Sequence, residues 1–396
     1  MRNFSLDLLR GLTIALMIIV NNPGDWKAMF AVLRHAEWHG FLGADIVFPL
    51  FLFVAGYAAA LKIDRLYGPT TAGGPHCASA LTLEERELPA YYLPLMRRAA
   101  ILFLIGLFLN AWPLGLLPDT EFSFGHLRVL GVLQRIAICV LVGGVLLRRV
   151  ETVRGLVSVL ILIFLLYEFC MRVPLVKFAD VFFGRSFELQ NNFARLVDIS
   201  VLPEAMLYKV RKIAFDPEGL LTSLTAIMTF LFGGLAFRLA LPCIATTQHK
   251  FRNFLQSRWG LASICAVLGF ALANFEPINK NLWTIPFVLL TTAAATALLL
   301  ALEKFDFGKR RFWRHLAQPF ADMGKNPLLI YVLSGIVGKA LALYKLSPQL
   351  SVKQYLYGGL NIFSLEGKLQ SLVYSLLLLV AVSLIARVLR RVPLRV

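Results

Sequence analysis

The stretch VNNPGDWKAMFAVLRHAEWHGFLGADIVFPLF, residues 20–51, places two adjacent asparagines, three acids, two histidines and two tryptophans between apolar runs. An imidazole takes up a proton near neutral pH, so His35 could activate an amine or hydroxyl, or carry an acyl group briefly itself. Asp45 could orient that ring, and the side-chain amide of Asn21 or Asn22 could donate to a developing oxyanion. Further polar sets recur downstream. GHLRVLGVLQR carries Arg128, Gln134 and Arg135; FDPEG carries Asp216 and Glu218; EPINKNLW carries Glu276, Asn279, Lys280, Asn281 and Trp283. Sugar hydroxyls need paired acceptors, and the sugar face needs an aromatic plane. Asp216, Glu218, Asn279, Asn281 and Trp283 supply those types, and Lys280, Trp38 and Gln134 join them as candidate substrate contacts.

Each set also has an ordinary reading. A lone interfacial histidine is usually a solvated group. Asp-Pro-Glu-Gly spells a helix start, with Asp216 as N-cap, Pro217 at the first helical position and Glu218 in the first turn. Trp26, Trp38 and Trp283 fit an interfacial aromatic belt, and an asparagine of NKNLW fits a helix cap. These readings leave unexplained why all the sets fall on one side of the apolar segments. Ionisable groups at membrane depth are costly, and they line cavities.

The elements that must hold these residues are helices in a bilayer. Of 396 residues, 58% are hydrophobic and 16% charged, and mean hydropathy is +0.71. Soluble domains stay near half apolar. The alternating pattern of about ten residues that marks an outer-membrane barrel is absent. An all-α, polytopic integral membrane protein with about ten spans is expected. The spans fall near 5–22, 43–62, 97–114, 127–147, 155–172, 219–240, 259–275, 283–302, 325–344 and 369–389. Asn22-Pro23 ends the first, because a residue before proline disfavours the α region. Pro49 lies inside the second and is expected to kink it. The first segment is read as an uncleaved helix, since Asp7 and Arg10 interrupt it and no cleavage signal follows.

The net charge of +17 collects at the ends of the spans, where topology signals belong, and no nucleic-acid motif accompanies it. Arg2, Arg10, Arg97, Arg98, Arg148 and Arg149 share one side with Lys304, Arg310 and Arg391, which puts both termini in the cytoplasm. The chain reads as one domain, 1–396, with a cytoplasmic loop at 63–96 holding a helical piece and a long extracytoplasmic loop at 173–218 able to cover a site. Cys77, Cys139, Cys170, Cys243 and Cys265 form no C-x-x-C pair, and neither disulfides nor a metal site is expected.

SLDLLRGLTIALMIIVNNPG, HAEWHGFLGADIVFPLFLF, GVLQRIAICVLV, FDPEGLLTSLTAI and NKNLWT, running in order from residue 5 to about 300, resemble the heparan-α-glucosaminide N-acetyltransferase family of transmembrane acyltransferases. The likeness is to its bacterial, N-acetylglucosamine-related branch, and GKNPLLIYVLSGIV resembles the family more loosely. The resemblance implies an acetyltransferase of the bacterial inner membrane that draws acetyl-CoA from the cytoplasm and acetylates an amino sugar on the far side, and it favours a homodimer. It places the catalytic histidine at His35 rather than His39, and the family asparagine at Asn21 or Asn22. Coenzyme A carries several phosphates, which arginine clamps well, and Arg10, Arg97 and Arg98 are the candidates on the cytoplasmic side. The competing function is a transporter of N-acetylglucosamine or small chito-oligosaccharides, in which the same residues bind and do not react.

Overall fold

The computed structural model describes residues 4–68, 84–117, 122–178, 180–241, 254, 257–305, 307 and 310–389. Cys77 and Cys243 lie outside them. Long helices dominate: α1 (Phe4–Asn21), α2 (Val47–Tyr67), α3 (Glu84–Ala111), α4 (Val132–Arg149), α5 (Val153–Arg172), α7 (Thr222–Arg238), α8 (Arg258–Leu272), α9 (Ile285–Lys304), α11 (Pro327–Leu343) and α13 (Gly367–Leu389). Shorter helices α6 (Phe193–Val201), α10 (Arg311–Met323) and α12 (Val352–Gly359) lie between them. Among the described residues six helices are long and apolar enough to cross a bilayer, or seven if the bent pair α10–α11 counts as one. That is fewer than the ten spans expected. Helices α7 and α8 are apolar but short, and α4 carries Arg135, Arg148 and Arg149.

Among the described residues three two-stranded antiparallel hairpins depart from an all-α chain: β1 (Val176–Phe178) with β2 (Val181–Phe183), β3 (Lys209–Val210) with β4 (Ile213–Ala214), and β5 (Lys345–Ser347) with β6 (Leu350–Ser351). Two of them, with α6, occupy the segment 173–218. That segment closes over residues 37–39: Trp38 donates its indole N–H to the Phe187 carbonyl at 3.0 Å, and His39 meets Glu188 at 3.3 Å.

The core centres on α7, buried along almost its whole length. Its approach to α2 is a reciprocal glycine contact. A Cβ on Gly56 would strike the Phe230 carbonyl, and one on Gly233 would strike that of Phe53, so small residues let the two backbones touch. A second reciprocal pair joins α1 to α10: Gly11 faces the Phe320 carbonyl, and Gly324 that of Asp7.

α1 ends at Asn21, as Asn22-Pro23 demands, and the Asn22 backbone and side-chain nitrogens both return to the Ile18 carbonyl, at 3.1 and 3.0 Å. The expected kink at Pro49 takes another form. A 3-10 turn over Gly43–Ile46 leads into α2, which begins at Val47. Pro49 therefore sits in the first α turn, where amide hydrogens lack intrahelical acceptors and a missing one costs little.

Candidate active site

A cavity of about 720 Å³ runs through the bundle between α1, α2, α3, α4 and α11. Asn21, His35, Glu218 and Lys280 line one end, and Arg10, Lys62, Arg98, Lys325 and Asn326 the other; apolar side chains such as Phe48, Phe51, Leu102 and Ile136 line the stretch between.

At the first end, residues 22–46 form no long helix, and this lets His35 and Asp45 meet across ten positions. His35 Nδ1 lies 2.8 Å from Asp45 Oδ1. The Asp45 carboxylate is fully buried, and its other oxygen accepts the Ala36 and Leu42 backbone N–H groups at 3.1 and 2.9 Å. Lys280 Nζ stands 3.0 Å from His35 Nδ1 and 3.5 Å from Asp45 Oδ1. With Nδ1–H donating to Asp45 Oδ1, Nε2 of the ring keeps the free lone pair that a base needs; with Nδ1 accepting from Lys280 instead, the ring proton lies on Nε2. Burial pushes the Lys280 ammonium below its ordinary value, while the Asp45 charge opposes that shift.

Lys280 is aimed by the tight segment 276–284. Asn279 accepts the Leu282 N–H at 2.9 Å through its side-chain oxygen, and its amide nitrogen meets His39 at 3.2 Å. Asn279 thus caps this turn, while Thr284 is the residue preceding α9. Trp283 takes a left-handed backbone, φ 52°. It is buried, gives its indole N–H to Thr229 at 3.0 Å, and lies against Phe48, Phe287 and the Arg135 guanidinium. It is a pillar of the core, with no face left for a sugar.

The FDPEG segment does other work than starting a helix, since α7 begins at Thr222. Asp216 is fully buried and accepts from Arg128 Nε at 2.9 Å and Nη2 at 2.6 Å. It also accepts the Tyr208 and Glu218 N–H groups at 3.2 and 3.0 Å. Burial alone would raise its pKa; the Arg128 guanidinium holds it below the usual carboxylate range. Arg128 also binds Glu218, the one acid lining the cavity among the described residues. An arginine 88 positions away therefore consumes the carboxylate that the sequence suggested as an N-cap.

Residues 2–202 match the family described as heparan-alpha-glucosaminide N-acetyltransferase, catalytic. The chain belongs to that family. It is 26% identical over 371 residues to heparan-alpha-glucosaminide N-acetyltransferase of Homo sapiens, covering 83% of this chain and 52% of that protein. To the protein of the same name from Mus musculus it is 25% identical over 398 residues, covering 88% and 56%. It therefore spans about half the length of these curated relatives. Within this N-acetyltransferase family member, the matched segment holds Arg10, Asn21, His35, Asp45, Arg98 and Arg128, while Asp216, Glu218 and Lys280 reach the site from beyond it.

The remaining candidates divide cleanly. Asn21 lines the cavity, whereas Asn22 turns away, its carbonyl accepting from Ser375 at 3.0 Å. Arg10 and Arg98 line the basic end; Arg97 is exposed and does not. Trp38 is buried edge-on against Phe215. Gln134 is buried beside Gly106 and Gly131, and Asn281 is half-buried next to Trp283, neither lining the cavity. Sequence reasoning passed over Lys62, Lys325, Asn326 and Tyr331 as site residues. Lys62 closes the second apolar span, and Lys325-Asn326 lie inside the GKNP stretch quoted for the family, so nothing local marks them as site residues. Among the described residues no group of three or more His, Cys, Asp or Glu could hold a metal ion.

Proposed function

We propose that this chain is a multi-pass membrane acetyltransferase that takes an acetyl group from acetyl-CoA at the basic end of the cavity and passes it to the amine of a glucosamine-type sugar at the His35 end. The observation that carries the reading is the cavity itself, with arginines and lysines at one mouth and a carboxylate-oriented imidazole at the other. Ten crossings with both termini in the cytoplasm would put the basic mouth where acetyl-CoA is made.

Arg10, Arg98, Lys62 and Lys325 would hold the phosphates, and the apolar walls the pantetheine arm. His35 Nε2 would then take the proton from the attacking amine as nitrogen adds to the thioester carbon, and return it to the coenzyme A sulfur as the C–S bond breaks; in the other route Nε2 would itself attack that carbon, expel the coenzyme A thiolate and pass the acetyl group to the amine. Asp45 would keep the ring in the productive tautomer and balance the imidazolium charge. Asn21 would donate to the oxyanion. Glu218 would accept from a sugar hydroxyl at the mouth.

The test is purified protein in liposomes with radiolabelled acetyl-CoA and glucosamine. Label is expected on the sugar nitrogen, and His35→Ala or His35→Asn lowers transfer about 10²- to 10⁴-fold with the melting temperature kept. Asp45→Asn lowers it about 10- to 100-fold. Sugar uptake without consumption of acetyl-CoA would overturn the proposal in favour of a transporter.

A further inference from the structure

Helix α10 is built unlike its neighbours. Arg311, Arg314, His315 and Gln318 recur at i, i+3, i+4 and i+7 and form one face; Phe312, Leu316, Pro319 and Met323 form the other. The first turns of the apolar side are not packed away, with Phe312 69% exposed, Trp313 51% and Leu316 49%, whereas Met323 at the far end is buried. The axis of α10 is bent 72° from that of α11, so where α11 stands across a bilayer, α10 lies nearly along its surface. Cations and rings alternate around it: Arg310 lies over Phe305 at 4.7 Å, Arg314 over Phe4 at 5.7 Å and Lys304 over Trp259 at 4.6 Å. The acid on the basic face, Asp322, is held by Lys325 and Gln318 at 2.6 and 3.0 Å.

We infer that α10 is an interfacial helix that docks on anionic phospholipid headgroups, its aromatic face among the acyl chains and its arginines on the phosphates. The inference rests on the chain crossing a bilayer. An in-plane amphipathic helix needs an apolar face to enter the headgroup boundary and a basic face to meet phosphate, and α10 offers both. Charge complementarity selects the lipid, because a zwitterionic surface gives Arg311 and Arg314 no net anion to bind. Docking would also bear on the cavity. α10 is locked to α1 at Gly11 and Gly324, Arg10 donates to the Gly324 carbonyl at 3.0 Å, and Lys325 and Asn326 line the basic mouth.

The experiment uses the full chain in nanodiscs of phosphatidylcholine, alone or mixed with phosphatidylglycerol, without acetyl-CoA or acceptor. Lipid retention is read by native mass spectrometry and stability by thermal melting. The unaltered chain is expected to retain phosphatidylglycerol selectively and to melt higher in the mixed discs. Each surface arginine is worth about fivefold in affinity for an anionic surface. R311Q alone, at an exposed position, therefore lowers the preference about fivefold, and R311Q/R314Q about 25-fold, with phosphatidylcholine retention unchanged. F312S/L316S weakens retention of both lipids. No preference in the unaltered chain, or an undiminished one in R311Q/R314Q, overturns the inference. So does an equal stabilisation by free inorganic phosphate in phosphatidylcholine discs. Acetyl transfer enters none of these readouts, so a failure here leaves the enzyme reading to its own test.

Discussion

The two ends of the cavity differ in how their charges are matched. At the His35 end the charges pair within the site: Asp45 with His35 and Lys280, Asp216 and Glu218 with Arg128. At the other end Arg10 and Lys325 also have acids, Asp7 at 3.0 Å and Asp322 at 2.6 Å, but neither acid lines the cavity, whereas Arg10, Lys62, Arg98 and Lys325 do. A balanced set can hold a proton in one place and release it to another without net charge entering a low-dielectric site. A wall that presents its cations to the cavity while their acids stand behind it keeps an attraction for a polyanion. The difference teaches that one cavity can separate proton chemistry from anion capture along its length.

That contrast can be broken. Its largest expected effect is on stability at the balanced end. Asp216→Asn leaves Arg128 without its bidentate partner and should cost about 3 kcal/mol, read by denaturant unfolding in detergent. At the cationic end, Arg98→Gln should leave the fold intact and raise the KM for acetyl-CoA about tenfold, with kcat little changed. If Arg98→Gln unfolds the chain as readily as Asp216→Asn, the two ends are not different in kind.

The smallest effect is a pH slope from Glu276, in the segment that carries Lys280. Glu276 is buried beside Glu168, and burial and that neighbouring carboxyl push its pKa up to about 9. An unfolded carboxyl gives up its proton near 4.5, while the folded one keeps it to about 9. The associated stability is therefore fully present below that lower value and drains away as pH rises through the window. Glu276→Gln cannot ionise. Its melting temperature relative to the unaltered chain should rise between pH 5 and about pH 9.

How much of this was legible in the sequence depends on what fixed each residue. The long helices lie where apolar runs placed them, because burial in lipid and length are local properties. The His35–Asp45 pair was readable, since an acid ten positions on at the start of an apolar run has little else to do. Arg98 could not be told from Arg97, because adjacent helical residues point about 100° apart and only the packing of α3 sets that phase. Asn21 and Asn22 posed the same problem: both precede Pro23, and the helix end turns one to the cavity and the other to α13. Asp216 and Trp283 misled for another reason. Their local spelling was a sound cap and a sound aromatic platform, but long-range partners, Arg128 and Thr229, claimed them first.

The reciprocal glycine contacts have a mechanical consequence. With no side chain between their backbones, α1 and α10 behave as one stiff unit, and α2 and α7 as another. The cavity is walled by members of both units. Sliding within either pair would drive carbonyl oxygens into neighbouring main chain, so the softest way to admit something as wide as a nucleotide is for the units to hinge apart along the seam between α1 and α2. His35 and Asp45 sit on the connection across that seam, and its opening and closing would be felt first at the imidazole.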